Sequence, residues 1–531
     1  MKPNRLVPSV TLMALLCASV VTAQEKAADP EKLGQVHFPV SCSDEVQKPF
    51  ERAVALLHSF WYQEALKAFI SVTEKDPHCA MGYWGIAMSV WYPLWEPPGG
   101  AMLKKGWTAV EKAKELGGKT GREKAYIAAI EAFYKDSDRL DHRTRALAYE
   151  KAMEQLYLHY PEDREATVFY ALALNATALP TDKTYANQKK AGEILEKLFA
   201  KEPEHPGAAH FIIHSYDYPQ LADRALPAAR RYMSIAPSVP HALHMPSHIF
   251  IRLGLWEESI QSNRAPAAAA KDHGDPHAQL HAMDYLAYAY LQGAQDREAQ
   301  RVLDEFNTMG KVEPENLTSA YAVAAIPARL SIERGRWSEA TLLQPRPSRY
   351  TATEAITYFA RGIGSARNGS ADSALKDVEK LQSLHSALIE AKQSYWADQV
   401  EIQRRSVASW VARAERKNEE ALQLMRSAAD LEDSTEKHPV TPGPVVPARE
   451  LLGDLLLELN EPAQALSEFE ISLRASPNRL HGLYGAARSA RLSGDQAKAK
   501  TYYAQLVALC NRSDSERPEL LEAKAFIAKK K

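Results

Sequence analysis

Apolar residues recur at three- and four-residue steps along most of the chain, a spacing that places them on one face of a helix. Residues 50–77 show the pattern clearly, because two such segments are joined at 59–62 and Pro77 ends the second. No alternating apolar and polar stretch of useful length predicts a β-strand. The pattern therefore predicts an all-α protein built of antiparallel helix hairpins.

Prolines and polar breaks divide this helical pattern. Pro203 and Pro237 each close a second helix and lie 34 residues apart. Residues 437–447 include four prolines and a glycine, which predicts a linker or a wrapping loop. The predicted organisation is a signal peptide over 1–23, a flexible tail over 24–40, a histidine-rich solenoid over 41–343, a helical middle region over 352–436, the Pro-rich linker over 437–447, and C-terminal repeats with a helical tail over 448–531.

The N-terminal residues have the pattern of a secretory signal peptide. Lys2 and Arg5 precede an apolar run that reaches the small-residue sequence VTA at 21–23, so cleavage after Ala23 is expected. The protein is therefore expected to be exported to a periplasm or out of the cell. No later apolar run reaches the ~18 residues of a membrane span, so no transmembrane segment is predicted.

The charge balance argues against one class of partner. The chain has 65 lysines and arginines against 67 acidic residues, and no long basic stripe interrupts the mixed pattern. Nucleic-acid binding depends on concentrated positive charge, so no nucleic-acid partner is expected.

Cys42 and Cys79 are candidates for a disulfide. Each precedes the first helix of a neighbouring hairpin, and an exported protein reaches an oxidising compartment. The alternative is that both are unpaired core cysteines, because export does not guarantee pairing. Cys510 lies near the end of an apolar helix and is expected to be a buried free thiol.

Histidines are concentrated in one part of the chain: nine of the 17 lie within residues 205–281. Side chains four residues apart share one face of a helix, so an HxxxH pair points in one direction. Equivalent members of three such pairs are 34 and then 33 residues apart, which predicts that the pairs stack along one wall: His210 with His214, His244 with His248, and His277 with His281.

Three segments share a short pattern of a small or turn residue, an aromatic or polar residue, and then Ala or Ser: LLLELNEPAQALSEFEISLRASP, GLWEESI and RGRWSEA. With the 34-residue spacing, they resemble the tetratricopeptide repeat (TPR) family, and the whole chain resembles exported bacterial TPR-repeat proteins of unassigned function. Recognisable repeats cover about half of the chain after the signal peptide. The resemblance implies a right-handed TPR-like α-solenoid, but it says little about chemistry.

In TPR proteins the first helix of each repeat lines a concave groove, with ligand contacts commonly at its second, fifth and ninth positions. If Pro206 and Pro240 are first positions, the first two histidine pairs fall at five and nine, and His241 falls at two. The resemblance therefore implies that these histidines face the groove. Six further groove residues are expected: Trp84, Met88, Tyr216, Tyr288, Tyr484 and Arg488.

Neutral imidazole is the commonest type of metal ligand, and two pairs from neighbouring helices would supply four ligands, or three and an open position. Asp217 and Asp284 continue the faces of two pairs and are expected to bind the metal or to orient a ring. Zinc fits this set, and Met245 and Met283 nearby keep copper as a candidate. The expected ligands are His210, His214, His241, His244, His248, His277, His281, Asp217 and Asp284.

Four other interpretations remain open. Histidines on packed helices are often structural groups bonded to a carbonyl or carboxylate, and Pro246 as a first helical residue would make His244 a cap instead of half of a helical pair. A histidine-lined groove can also hold a peptide or protein partner without metal. A metal-dependent enzyme would need an open coordination position beside Asp217 or Asp284. Binding of a divalent transition metal is the leading hypothesis.

Overall fold

A computed structural model of the protein describes residues 31–272 and 274–528, without the side chains of residues 269 and 272. The predicted signal peptide lies outside these residues. Within them the regular elements are helices, with no strand. They are α1 Asp44–His58, α2 Tyr62–Lys75, α3 Ala80–Met88, α4 Gly100–Leu116, α5 Gly121–Tyr134, α6 His142–His159, α7 Arg164–Thr177, α8 Ala186–Lys201, α9 Pro206–Tyr216, α10 Ala222–Ile235, α11 Pro240–His244, α12 Pro246–Arg252, α13 Trp256–Asp272, α14 Pro276–Gln292, α15 Asp296–Thr308, α16 Leu317–Ile332, α17 Trp337–Ala340, α18 Thr351–Arg367, α19 Ala371–Glu390, α20 Ser394–Ala414, α21 Asn418–Ser434, α22 Ala448–Glu458, α23 Pro462–Ala475, α24 Leu480–Leu492, α25 Gln496–Leu509 and α26 Pro518–Ala528.

Successive helices pack as hairpins, and each hairpin stacks on the next. Within hairpins, α1 packs on α2 and α9 on α10; between hairpins, α7 contacts α9, and α9 contacts α12. Glycines allow the closest approaches, since a Cβ at Gly85 would lie 2.1 Å from the ring of Phe69. Packing between sequence neighbours is the organisation of an α-solenoid. The prediction of an all-α, TPR-like solenoid is confirmed.

Residues 31–40 pack against the first helices. Phe38 is fully buried, with its ring centre 5.6 Å from that of Trp84 and 4.9 Å from that of Tyr126. The Gln35 amide donates a hydrogen bond to the Glu204 carbonyl at 2.9 Å. The expected flexible tail over 24–40 therefore does not describe residues 31–40, because Phe38 fills a gap between α1, α3 and α5.

Cys42 and Cys79 are paired and Cys510 is free, as expected. Cys42 and Cys79 form a disulfide just before α1 and α3, with their Cα atoms 4.9 Å apart. Cys510 is a buried free cysteine, and burial raises the pKa of its thiol to about 12. None of the described helices is long and apolar enough to cross a membrane.

The Pro-rich segment, residues 437–447, contacts the end of α9 and α16 and is called the strap below. Its Lys437 ammonium lies 2.7 Å from the Asp217 carboxylate. The carbonyls of Gly443 and Pro444 each accept a hydrogen bond from the Arg329 guanidinium at 2.8 Å. These contacts make the segment a wrapping loop and not a free linker.

The C-terminal repeats pack on the central helices, so the solenoid curves back on itself. The Trp256 indole donates a hydrogen bond to the Asn478 carbonyl at 2.7 Å. Arg479 is fully buried and bonds both Glu450, at 2.7 Å, and Glu333, at 2.6 Å. These contacts, with those between α14 and α24, hold the C-terminal repeats against the central helices.

Candidate metal centre

Six histidines on α9, α11, α12 and α14 form two groups of three. In each group, one ring nitrogen from every member lies within 4.8 Å of the others. The first triad is His210, His214 and His241; the second triad is His244, His248 and His281. Five of the six border a single cavity of about 270 Å³. The convergence expected of rings on neighbouring hairpins is therefore present.

The local sequence explains how α9 presents the first pair. Pro206 occupies the first helical turn, where its missing N–H is not needed, and the His205 side chain caps the helix by accepting a hydrogen bond from the Ala208 amide. His210 and His214 then lie one turn apart on a helix that is buried along its length. Their Nε2 atoms are 3.1 Å apart.

Pro246 separates α11 from α12 without separating the second pair. It is the first residue of α12, as one interpretation of the sequence holds. However, Met245 between the two helices keeps helical dihedral angles, with φ −53° and ψ −36°. The chain therefore continues with nearly unbroken helical geometry, and Nε2 of His244 lies 3.1 Å from Nε2 of His248. The expected consequence, loss of the pair, does not occur.

Hydrogen bonds fix the proton on His244. Its Nδ1 lies 2.6 Å from Oδ1 of Asn263. The Asn263 amide group is oriented by its own Nδ2, which donates to the Ser259 carbonyl at 2.7 Å, so Oδ1 is an acceptor. His244 therefore carries its proton on Nδ1 and presents a lone pair on Nε2.

His248 has the same arrangement with a different partner. Its Nδ1 donates to Oδ2 of Asp217 at 3.1 Å, which leaves a lone pair on Nε2. The Tyr285 hydroxyl lies 3.4 Å from Nδ1 and 3.2 Å from Nε2. The hydroxyl is thus nearly equidistant from the two ring nitrogens. Two lone pairs thus face each other across 3.1 Å, an arrangement that a cation between them would stabilise.

A proton is not that cation at neutral pH, because both rings have lowered pKa values. Burial lowers the pKa of His244 well below its usual value, and the neighbouring His248 lowers it further. Burial also lowers the pKa of His248; Asp217 raises it, and Lys437 opposes that effect. The two rings are therefore neutral and remain available as metal ligands.

The third predicted pair is divided. His281 belongs to the second triad, with its ring centre 4.3 Å from that of His244. His277 borders the same cavity but belongs to neither triad, and its Nδ1 lies 3.0 Å from the Ser319 hydroxyl. The prediction for His277 as a ligand is therefore not supported by the geometry, because Ser319 on α16 holds its ring aside.

In the first triad, His210 is oriented by a backbone group. Its Nδ1 donates to the His58 carbonyl at 2.6 Å and leaves a lone pair on Nε2. Nε2 of His241 is buried and has no hydrogen-bond partner among the described residues. Burial lowers the pKa of both rings well below the usual value, and neighbouring histidines lower it further.

The two aspartates have different positions. Asp217 orients His248 and also binds Arg252, at 2.9 Å, and Lys437. Burial acts to raise the pKa of Asp217, but Lys437 and Arg252 outweigh it and hold the pKa well below its usual range. Burial lowers the pKa of Lys437 to about 8 despite Asp217. Asp217 is thus a charged group that orients a ligand.

Asp284 does not take part in the site. Its carboxylate is buried against Arg329, with a distance of 2.9 Å to Nε. It is on α14, as expected, and it belongs to neither triad. Because Arg329 holds this carboxylate, the geometry does not support the expectation that it binds or orients a metal ligand.

The six further residues expected in the groove do not border the cavity. Trp84 and Met88 are both buried: Phe38 and Tyr126 pack on the Trp84 ring, and the Tyr149 hydroxyl contacts the Met88 sulfur. Tyr216 packs where Gly192 leaves room. The other three lie elsewhere: Tyr288 binds Arg479, Tyr484 binds Glu522, and Arg488 is exposed.

Aromatic residues that sequence analysis did not select form one wall of the cavity. They are Phe60, Trp61, Tyr62, Tyr92 and Trp95. The phenyl ring of Phe60 lies 4.5 Å from the His210 ring and 5.5 Å from the His214 ring, centre to centre. Their only sequence signature is aromatic enrichment next to helix ends, which is also typical of ordinary repeat packing.

A third buried cluster, His58–Glu165–His205, was not predicted. The Glu165 carboxylate lies 2.6 Å from Nε2 of His58 and 3.0 Å from Nε2 of His205. Nδ1 of His205 accepts the Ala208 amide hydrogen, so its Nε2 carries the proton and donates to Glu165. Burial acts to raise the pKa of Glu165, but the two histidines outweigh it and hold the pKa well below its usual range.

Comparison with known proteins adds similarity of shape only. No protein-family model matches the chain, and no curated protein matches it. The human IFIT1 dimer with PPP-AAAA is 11% identical over 86% of this chain and 89% of that one, with a TM-score of 0.36. Yeast Tom70 is 12% identical over 92% and 96%, with a TM-score of 0.33. Such low values assign neither family nor function.

Proposed function

We propose that the protein is an exported TPR-like solenoid that binds a divalent transition metal through the second triad. One observation carries the proposal: Nε2 of His244 and Nε2 of His248 lie 3.1 Å apart, and each has a free lone pair. The lone pairs are free because the Nδ1 atoms carry the protons, which they donate to Asn263 and Asp217. A tetrahedral ion bound at ~2.0–2.1 Å holds neighbouring ligand nitrogens roughly 3.3 Å apart. His281 supplies a third nitrogen.

The surroundings support metal ligation. Asn263 and Asp217 hold the two rings in one tautomer, the role that hydrogen-bonded partners of histidine ligands have in metal sites. Three imidazoles with a remaining position facing a cavity suit zinc, and an all-nitrogen set also suits copper(II). Export rests on the sequence of residues 1–23.

The alternative of a metal-free groove for a peptide has less support. The strap already occupies part of the concave side, and its Gly443 and Pro444 carbonyls take the Arg329 donors that an extended peptide backbone would need. Within the described residues, the histidine cavity of about 270 Å³ is better suited to an ion and a small ligand.

The test is metal analysis of the full chain purified without a histidine tag. The protein is stripped with a chelator, equilibrated with Zn²⁺ or Cu²⁺, and freed of excess ion. Bound metal is expected in the native chain, and the His244→Ala/His248→Ala variant should lose the ion of the second triad. The matched control is His277→Ala, which changes a histidine of the same cavity outside both triads and should retain the native metal content. A folded native chain that binds neither ion contradicts the proposal.

A further inference from the structure

We infer that the first triad binds a second metal ion and that the two ions form one dinuclear centre bridged by a small anion from solvent. This inference rests on the proposed function and extends it from one ion to two. It also names the chemical class of the further ligand, a small anion such as hydroxide or azide.

The first triad has the features of a separate ion site. The His210 ring is fixed by the His58 carbonyl, so its Nε2 lone pair points at Nε2 of His214 across 3.1 Å. The third member, His241, has a buried Nε2 without a hydrogen-bond partner in the described part of the chain. Leaving a buried polar atom unpaired is costly, and coordination to an ion would remove that cost.

The two triads are close enough for their ions to share a ligand. Between triads, the ring centres of His214 and His248 are 6.2 Å apart, and those of His241 and His244 are 6.3 Å apart. Within triads the corresponding separations range from 4.3 Å, for His244 and His281, to 6.4 Å, for His248 and His281. The gap between triads is therefore no larger than the widest gap inside one, and paired ions in proteins typically lie ~3.5–4 Å apart.

Charge explains why an anion is needed. Six neutral imidazoles leave the charge of two divalent ions uncompensated in a buried site, where charge is expensive. Asp217, which contacts His248, also binds Arg252 and Lys437, so its oxygens are held by these groups. The two carboxylate residues that border the cavity are also engaged: Glu96 accepts a hydrogen bond from the Tyr350 hydroxyl, and Asp275 caps α14. None of these carboxylates belongs to either triad, and we therefore assign the bridge to a small anion in the cavity.

The cavity offers room for a small bridging ligand. It borders five of the six histidines and is closed on one side by aromatic rings, including Phe60 and Trp95. The Trp95 ring centre is 5.8 Å from that of His214 and 6.4 Å from that of His241. Low-polarity walls strengthen the attraction between the ions and an anion, and a volume of about 270 Å³ limits its size.

Stoichiometry of Cu²⁺ loading on the full chain is the first test. Two tightly bound ions per chain are expected. The His210→Gln/His241→Gln variant should hold one, and the control variant His277→Gln should hold two. One ion in the native chain overturns the inference and leaves the proposed function intact, whereas none overturns both. The number of ions bound by the native chain tests the inference even if a triad variant fails to fold.

Electron paramagnetic resonance of the Cu²⁺-loaded chain tests the bridge. Two copper(II) ions joined by one anion couple their spins, so the native signal should integrate to well below two spins per chain and should change when azide is added. The one-ion variant should give one full spin, which provides the uncoupled reference. A native signal of two full spins that azide leaves unchanged overturns the bridged centre, while metal binding would still stand.

Discussion

Two histidine clusters in this protein, His58–Glu165–His205 and the second triad, differ in where their protons are. In the His58–Glu165–His205 cluster, one carboxylate lies between two rings and accepts hydrogen bonds from them. In the second triad, His244 and His248 donate their Nδ1 protons to Asn263 and Asp217, so their Nε2 atoms have only lone pairs. In the first arrangement the nitrogens that face the carboxylate have a partner, whereas in the second the two facing nitrogens of His244 and His248 have none that donates a proton, and a cation would fill that role.

Clustering and burial of histidines do not by themselves identify a metal site. Nδ1 of His58 is a case where an unpaired nitrogen cannot bind an ion. It lacks a hydrogen-bond partner among the described residues, yet Gly207 packs so tightly that a Cβ there would lie 2.7 Å from it. An unpaired nitrogen against backbone has no room for an ion, whereas the triad nitrogens converge beside a cavity.

The largest expected effect is on stability, from Glu165→Ala. Removing the carboxylate leaves two buried ring N–H groups unpaired and opens a cavity, so the free energy of unfolding should fall by roughly 3–5 kcal/mol. Urea unfolding measures this change, and metal content per folded chain should remain native. The matched control is Glu162→Ala, which changes an exposed residue nearby and should shift stability by less than about 0.5 kcal/mol. A similar loss in both variants would remove the distinction between the clusters.

The next largest effect is on metal affinity, from His248→Gln. Loss of this ligand should weaken binding by at least about 100-fold, which exceeds the usual effect of losing an orienting partner. Competition with a chromophoric chelator measures the affinity. His277→Gln is the control and should bind as the native chain does. If the two variants bind metal equally well, the second triad is not the site.

A smaller loss of affinity is expected from Asn263→Leu, because Asn263 fixes the tautomer of His244 without touching the ion. The expected weakening is about 10- to 100-fold, measured by the same competition. Ser262→Ala is matched to it, since Ser262 is equally buried and also donates to the Ser259 carbonyl. An Asn263→Leu variant with native affinity would show that the proton on His244 is held in some other way.

The smallest effect concerns the pH dependence of the metal-free protein. Because burial holds the pKa of His248 below its usual value of about 6.5, the unfolded chain binds a proton that the folded chain does not, and stability falls as pH decreases below about 6.5. His248→Gln should flatten this fall by up to about 1.4 kcal/mol per pH unit, measured by urea unfolding between pH 7 and 5.

The pKa of Glu165 is also held below its ordinary value, so its effect on stability has the same sign as that of His248 but falls at lower pH. Its folded pKa lies below the unfolded value of about 4.5, so its contribution to stability is present above that pH and is lost only as pH falls further. The two clusters are thus expected to lose stability in separate pH ranges. An unchanged slope above pH 5 in His248→Gln would contradict the neutral state assigned to that ring.

The periodic part of the structure could be predicted from sequence. Helical spacing gave the hairpins, and the 34-residue interval placed the pairs of α9 and of α11 and α12 side by side. The same argument failed for His277, because α14 turns that ring toward Ser319, and for Asp284, because Arg329 binds it. Both failures come from partners on later helices that the local pattern does not specify.

The contacts that complete the site join residues far apart in the chain. The His58 carbonyl orients His210, 152 residues away, and Lys437 binds Asp217, 220 residues away. Repeat spacing carries no information about such pairs. It also does not predict that Phe38 packs on Trp84. Trp84, expected in the groove, is therefore a core residue.

The strap has a consequence for when the site comes into being. Its Val440 borders a cavity whose opposite wall begins at Phe60, so the enclosure is absent from any chain that is still emerging or still threaded as an extended polypeptide. Under the proposed function, ion binding in the enclosed cavity would therefore follow placement of the strap. The metal would then be acquired in the compartment where the protein finishes folding.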